Sequence, residues 1–211
     1  MPVEELHITL PDFHNGSFRL QQLKEAIFSS NKHRLGQAKN LISSIYKEQK
    51  VLIYFDDLNN ILPKRVVHFD AKISNFLFEQ NTNNVKAIID LDTLMPGTVL
   101  SDVGDMIRTY SNLLGEDHKE VKKIYADQKI IKSIITGFMS KADLSDLEKE
   151  NLYFSGQALS LMQCVRFLTD YLNGDSYFKT MFLDQNLIRA ENQWRLYCSL
   201  KEEGLPNHYL T

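Results

Sequence analysis

Residues 66–78 read VVHFDAKISNFLF, an apolar run interrupted by His68, Asp70, Lys72 and Asn75. The spacing suits a definite chemistry. An aspartate at a strand end can take the proton of an attacking hydroxyl and hold that oxygen in line with a phosphorus. An asparagine placed after the loop turns back can offer its amide oxygen to Mg²⁺, which takes hard oxygen ligands and keeps several waters. His68 is placed to brace the loop backbone, and Lys72 to lie near phosphate. A second acid, Asp90, ends the apolar run AIID a turn and a strand later, with Asp92 beside it. Two other readings stand next to this one. The same residues make an ordinary buried hairpin with polar ends and Asx turns. The DLD acids could also hold two cations for hydrolysis, although only His68 is close and no histidine-rich set accompanies it.

The elements that must position these groups are mostly helical. SFRLQQLKEAIFSS opens a first helix, with Ser17 as its cap and Leu20, Leu23 and Ile27 on one face. RLGQAKNLISSIYKEQ predicts a second, with Leu35, Ala38, Leu41, Ile42 and Ile45 as its stripe, and VLIYFDDLNNIL a third that stops before Pro63. Val66–Val67, Phe76–Phe78 and VKAIIDL are the β-like stretches, short strands forming hairpins with NTNN as a turn. After DTLMPG the helical texture returns. DVGDMIRTYSNLL, KEVKKIYADQKIIKSIITGFM, DLSDLEKENLYFSGQALSLMQCVRFLTDYL and NLIRAENQWRLYCSLKEEG each predict a helix, the last ending at Gly204. The fold class expected is mainly α with a small β-hairpin insertion (α+β).

The composition bounds what such a chain can do. Its 211 residues suit one domain or one large lobe, and 43% hydrophobic content allows a sizeable core. A net charge of −3 with no dense basic run leaves no electrostatic footprint for nucleic acid or an anionic membrane. Two cysteines, Cys164 and Cys198, are too few for a disulfide framework, so a cytoplasmic location is expected, with Cys164 in the core. The N-terminal segment MPVEELHITLPDF has no apolar signal-peptide core, and no stretch approaches a bilayer span.

The spacing H-x-D-x-K-x-x-N, followed by a strand that ends in aspartate, is that of the catalytic loop and metal-binding acid of protein-kinase-like enzymes. More specifically, VVHFDAKISNFLF together with VKAIIDLDTLMPGTVLSDVGDMIRT resembles the aminoglycoside phosphotransferase and choline kinase superfamily. IDLDTLMPG, DVGD-IRT, TLPDFHN and RFLTDYLNGDSYF are similar to its N-acetylhexosamine 1-kinase branch. The resemblance implies an ATP- and Mg²⁺-dependent kinase acting on the anomeric hydroxyl of a free sugar. In that scheme Asp70 is the catalytic base, Asn75 and Asp90 are metal ligands, and Asp92 is a neighbouring or substrate contact. Arg166 and Tyr177 would hold the sugar, and Asp102, with Asp105 as the alternate, would brace the catalytic loop. Against these roles stand a solvated Arg166 paired with Asp170 and a Tyr177 packed in the core. Other acceptors, aminoglycoside- or choline-like alcohols, keep the same fold.

The departure from that family is at the N-terminal side. No glycine-rich loop or lysine-bearing strand precedes the catalytic loop, and the segments before it read as helices. The chain is therefore expected to be a single C-terminal lobe of a protein-kinase-like fold over 1–211. It would carry the catalytic loop at 66–78 and the metal-binding segment at 87–93, without an N-terminal ATP-binding lobe. Such a chain could be a fragment, work with a separately supplied lobe, or bind a sugar or partner without turnover. It should also expose an apolar face around Val51–Phe55 and the catalytic hairpin, favouring self-association or a partner.

Overall fold

A computed structural model describes residues 3–204. It is mostly helical, with two small antiparallel sheets, and so of the α+β type. Helix α1 spans Gly16–Ser29 and α2 spans Lys32–Ile61. Asn15, not Ser17, caps α1, its side chain accepting from the Phe18 N–H at 2.9 Å. Ser17 instead gives its hydroxyl to Asp56, whose carboxylate also takes the Gly16 and Ser17 N–H groups at 2.7 Å. The two helices expected across 34–62 are one. Leu52, Phe55 and Leu58 continue the stripe of Ala38, Leu41 and Ile45 in phase, so nothing ends the helix at Lys50.

Strand β1, Arg65–Val67, pairs with β4, Met95–Gly97, in the register Arg65↔Gly97 and Val67↔Met95. Nested between them is the expected hairpin of β2, Phe76–Phe78, with β3, Val85–Ile88. This nesting has a consequence for the polar residues. The loop from β1 to β2 and the loop from β3 to β4 leave the sheets side by side. A small cluster of Val67, Phe69 and Met95, with Phe13 against it, seals their base.

Helix α3, Val99–Tyr110, and α5, Asp146–Leu172, form the other wall. A Cβ on Gly104 would lie 2.6 Å from the Ser155 carbonyl oxygen, and one on Gly156 would lie 2.4 Å from Ile107. The two helices therefore touch backbone to side chain, a distance only glycine allows. Helix α5 packs against α1, α2, α3, α4 and α6, and its buried residues lie on all sides, as a central helix requires. Helix α4 is shorter than expected, Gln128–Met139, because Asp127 caps it by accepting from the Lys129 and Ile130 N–H groups. The KEVKK run before it is a single 3-10 turn, not the face of a long helix. Helix α6, Gln185–Glu203, stops at Gly204 as expected.

The apolar face expected around Val51–Phe55 forms only in part. Leu52 and Phe55 are buried in the main core, while Ile53 and Tyr54 are exposed, Tyr54 packing edge-on against Phe154. The hairpin does expose one: Phe78, Val85 and Ile88 share a face and are each about half accessible, as is Leu77 on the other face. No helix among the described residues is long and apolar enough to cross a membrane.

Candidate active site

The loop after β1 is held from several directions. Asp102, on α3, accepts from the backbone N–H of His68 at 3.0 Å and of Phe69 at 2.8 Å. Of the two candidate braces, Asp102 is thus the one in contact with the loop. The His68 ring accepts from the Asp70 N–H at Nδ1, 3.3 Å, and faces the Ile89 carbonyl with Nε2 at 3.0 Å. That pattern requires the tautomer with the proton on Nε2. Thr93 donates its hydroxyl to the His68 carbonyl, and the Ile89 N–H donates to the Asn75 carbonyl at 2.9 Å. The two loops are locked together, with Asn75 and Asp90 on adjacent strand ends.

Both loops contain a residue in the left-handed region. Phe69 has φ 64° and Asp90 φ 64°. An aspartate tolerates this conformation, whereas a phenylalanine is strained by it. The Asp102 carboxylate on its N–H and the packing of its ring against Phe13 and His14 hold it there. Desolvation pushes the Asp102 carboxyl up to about 6, the His68 and Phe69 N–H groups opposing only part of that shift.

Asp70 sits at the tip. Its Oδ2 pairs with Lys72 Nζ at 2.6 Å and accepts from Asn75 Nδ2 at 3.0 Å. Asn75 Nδ2 also donates to the Asp70 carbonyl at 2.8 Å. With its nitrogen turned to Asp70, the buried Asn75 amide keeps Oδ1 free of hydrogen-bond partners among the described residues. Asp90 is exposed beside it. An amide oxygen and a carboxylate on neighbouring strand ends fit a Mg²⁺ ion that brings its other oxygen ligands from a nucleotide and water. Among the described residues no three His, Cys, Asp or Glu side chains gather as a metal site of their own.

Asp70 and Lys72 open onto a cavity of about 500 Å³. Arg166 and Tyr177 line the same cavity. The structure therefore brings together the acid, the lysine and the two residues expected to hold a substrate, although 96 residues of chain separate Asp70 from Arg166. Asp92 does not line it; it is exposed, and its carbonyl accepts from Thr9. Arg166 does not pair with Asp170, and Tyr177, 70% accessible, is not in the core. Asp170 is occupied elsewhere, accepting the N–H groups of Ser176, Tyr177 and Phe178 at 2.8–3.0 Å. That carboxylate shapes the loop that carries Tyr177.

Sequence reasoning missed part of the lining. Asp105 and Arg108 form a buried ion pair at 2.8 Å on the cavity wall, with Glu116 at 3.1 Å from Arg108. Burial pushes the Asp105 carboxyl up, with Arg108 opposing it and Asp70 adding to it. Its Oδ2 has no partner. The i,i+3 spacing of Asp105 and Arg108 in DVGDMIR was the available signal. His14, from the segment before α1, is also on the wall; burial, then Arg166, Arg108 and Arg19, drive its imidazole well below its ordinary value. No local pattern in the sequence would have placed it there.

A family model described as the phosphotransferase enzyme family, APH, matches residues 4–126. The match takes in the catalytic loop, Asp90 and Asp102, and covers more than half of the chain. The chain belongs to this family. Within this APH chain, Arg166 and Tyr177 lie beyond the matched segment, on α5 and the loop that follows it. Their approach to Asp70 is thus a property of the tertiary structure, independent of the match.

Proposed function

We propose that the chain is the C-terminal lobe of a protein-kinase-like phosphotransferase that phosphorylates a small-molecule hydroxyl. The acceptor that suits the site best is the anomeric hydroxyl of an N-acetylhexosamine. The observation that carries this reading is the shared cavity of Asp70, Lys72, Arg166 and Tyr177. Asp70 takes the proton of the acceptor hydroxyl, whose oxygen forms the new bond to the γ-phosphorus of ATP as the bond to ADP breaks. Lys72 offers a cation to the transferred phosphoryl oxygens. Asn75 and Asp90 would hold Mg²⁺, which supplies charge neutralisation at the phosphates. Arg166 donates from a forked guanidinium and Tyr177 gives a flat face with a hydroxyl, both suited to a sugar ring.

A choline-like acceptor is disfavoured by one feature. A quaternary ammonium needs an aromatic cage, and two of the rings on the cavity wall already hold a guanidinium. Arg166 lies over Phe13 at 4.9 Å and Phe178 at 5.6 Å.

The nucleotide would be gripped by a glycine-rich lobe docked on the exposed face of the β2–β3 hairpin, whether carried by this polypeptide or another. The ion pair between Lys72 and Asp70 also favours a second reading, a lobe that binds sugar without turnover. Mg-ATP with a panel of free sugars, for the wild type and Asp70→Asn, separates the two. Turnover in the wild type that falls by roughly 100-fold or more in the variant supports the catalytic reading. Turnover unchanged in Asp70→Asn would overturn it, and sugar binding without turnover would favour the binding lobe.

A further inference from the structure

Arg34, Arg65, Arg108, Arg189 and Arg195 each pair with a carboxylate. Arg19 and Arg166 have no carboxylate partner among the described residues. Arg19 donates to the Gln22 side chain at 2.8 Å and the Phe13 carbonyl at 2.9 Å; Arg166 donates to Gln163 at 3.0 Å. Neither contact neutralises a charge. These two arginines line one small cavity of about 210 Å³, together with Thr169, Ser176 and Tyr177. Arg166, Tyr177 and Phe178 also form its shared wall with the cavity that holds Asp70.

The unsatisfied groups in this small cavity can all donate. Arg19 Nε and Thr169 Oγ1 are buried and have no hydrogen-bond partner among the described residues. The acid on the wall, Asp170, is already committed to the N–H groups of 176–178 and to Asn186 Nδ2. Burial and the neighbouring Arg19 bring the Arg166 guanidinium down to about 10, the cost of holding two like charges together out of water. Neighbouring, partly buried and without a carboxylate partner, two guanidinium groups are the usual recognition element for a carboxylate, sulfate or phosphate.

We propose that Arg19 and Arg166, with Thr169, form an anion subsite next to the acceptor cavity, so that the acceptor is an acidic sugar with a carboxylate, sulfate or phosphate substituent. The link to an acceptor rests on the phosphotransferase reading; the anion subsite itself does not. It narrows the acceptor from hexose sugars in general, N-acetylhexosamines among them, to those with a negative group directed away from the hydroxyl that Asp70 meets.

The test is a calorimetric titration at low salt with sodium sulfate, glucose and glucuronate, on the wild type, Arg19→Gln, Arg166→Gln and the charge-preserving Arg19→Lys. Glucuronate binding on the order of tenfold tighter than glucose is expected, with sulfate competing and the preference removed by either Gln variant. Arg19→Lys should keep part of the preference, which separates lost charge from lost fold, and thermal unfolding checks that each variant is folded. Equal binding of glucose and glucuronate by the wild type, absence of sulfate and glucuronate binding, or sulfate binding unchanged in both Gln variants would each overturn the subsite. Sulfate binding that depends on both arginines, with no binding of either sugar, would support the anion subsite and overturn its link to an acidic-sugar acceptor.

Discussion

The residue that most constrains the catalytic loop is Asp102, because it stabilises a backbone shape that Phe69 resists. A bulky side chain at φ 64° costs about 1–3 kcal/mol, and the loop accepts this in order to aim Asp70 into the cavity. Each Asp102 oxygen takes one N–H, so Asn, with a single acceptor and an NH₂ group, cannot replace both bonds. Asp102→Asn should lower any phosphotransfer rate by more than tenfold while leaving the helical circular dichroism intact. The stability effect should depend on pH. Folding raises the Asp102 value to about 6, so between pH 4 and 6 the folded protein holds a proton that the unfolded chain has released. This group's contribution is complete below pH 4 and lost as pH rises through 6. The melting temperature of the wild type should therefore fall relative to Asp102→Asn over that window, as thermal unfolding from pH 4 to pH 8 would reveal. A difference constant across the window would contradict the assignment. The motif alone indicated Asp70, Asn75 and Asp90, because fixed spacing within a short loop is a local property. The place of His14 and Arg19 beside Arg166 was not legible, since their meeting depends on how α1 and the segment before it fold back on α5.

At the scale of elements, the cavity exists because α3 and α5 can touch. The Gly104 and Gly156 contacts set the distance from Asp105 and Arg108 to Arg166, and a methyl group at either position has nowhere to go. Gly156→Ala should destabilise the fold by about 1–3 kcal/mol, read as a lower denaturant midpoint. Because the cavity walls part, sugar affinity should fall with it. The loop after α5 depends in the same way on Asp170, a 5%-accessible carboxylate that accepts from Ser176, Tyr177 and Phe178 N–H groups. Asp170→Ala leaves buried donors without acceptors, costing about 1–3 kcal/mol, and should make the 173–178 amides exchange faster with deuterium. These relations explain the pattern of agreement between sequence and structure. The β2–β3 hairpin and the long helices α5 and α6 were readable, being set by periodicity and turn residues. The β1–β4 pair was not, because its partners lie 28 or more residues apart and have no turn between them. Helix α2 reads as two segments parted at Lys50, although the buried stripe continues in phase through that point.

At the scale of the whole molecule, the polar site and the main apolar surface are two sides of one hairpin. Asn75 and Asp90 occupy its open end, while Phe78, Val85 and Ile88 expose apolar side chains along one face of it. Isolated exposed apolar residues are ordinary, but a cluster beside the proposed Mg²⁺ ligands suits a docking surface. In the proposed scheme the lobe that delivers ATP approaches from this side, since Asp90 and Asn75 would meet the phosphates there. In its absence a second copy would be the nearest surface of matching chemistry. The protein alone should therefore associate in a concentration-dependent manner through this face, and the double substitution Phe78→Lys/Val85→Lys should shift light-scattering mass toward that of the monomer. Both residues lie outside the cavity of Asp70, so sugar or sulfate affinity should be unchanged in the double variant. A wild type that remains monomeric at high concentration, or a double variant that associates equally well, would show that the hairpin face is not what the molecule uses for contact.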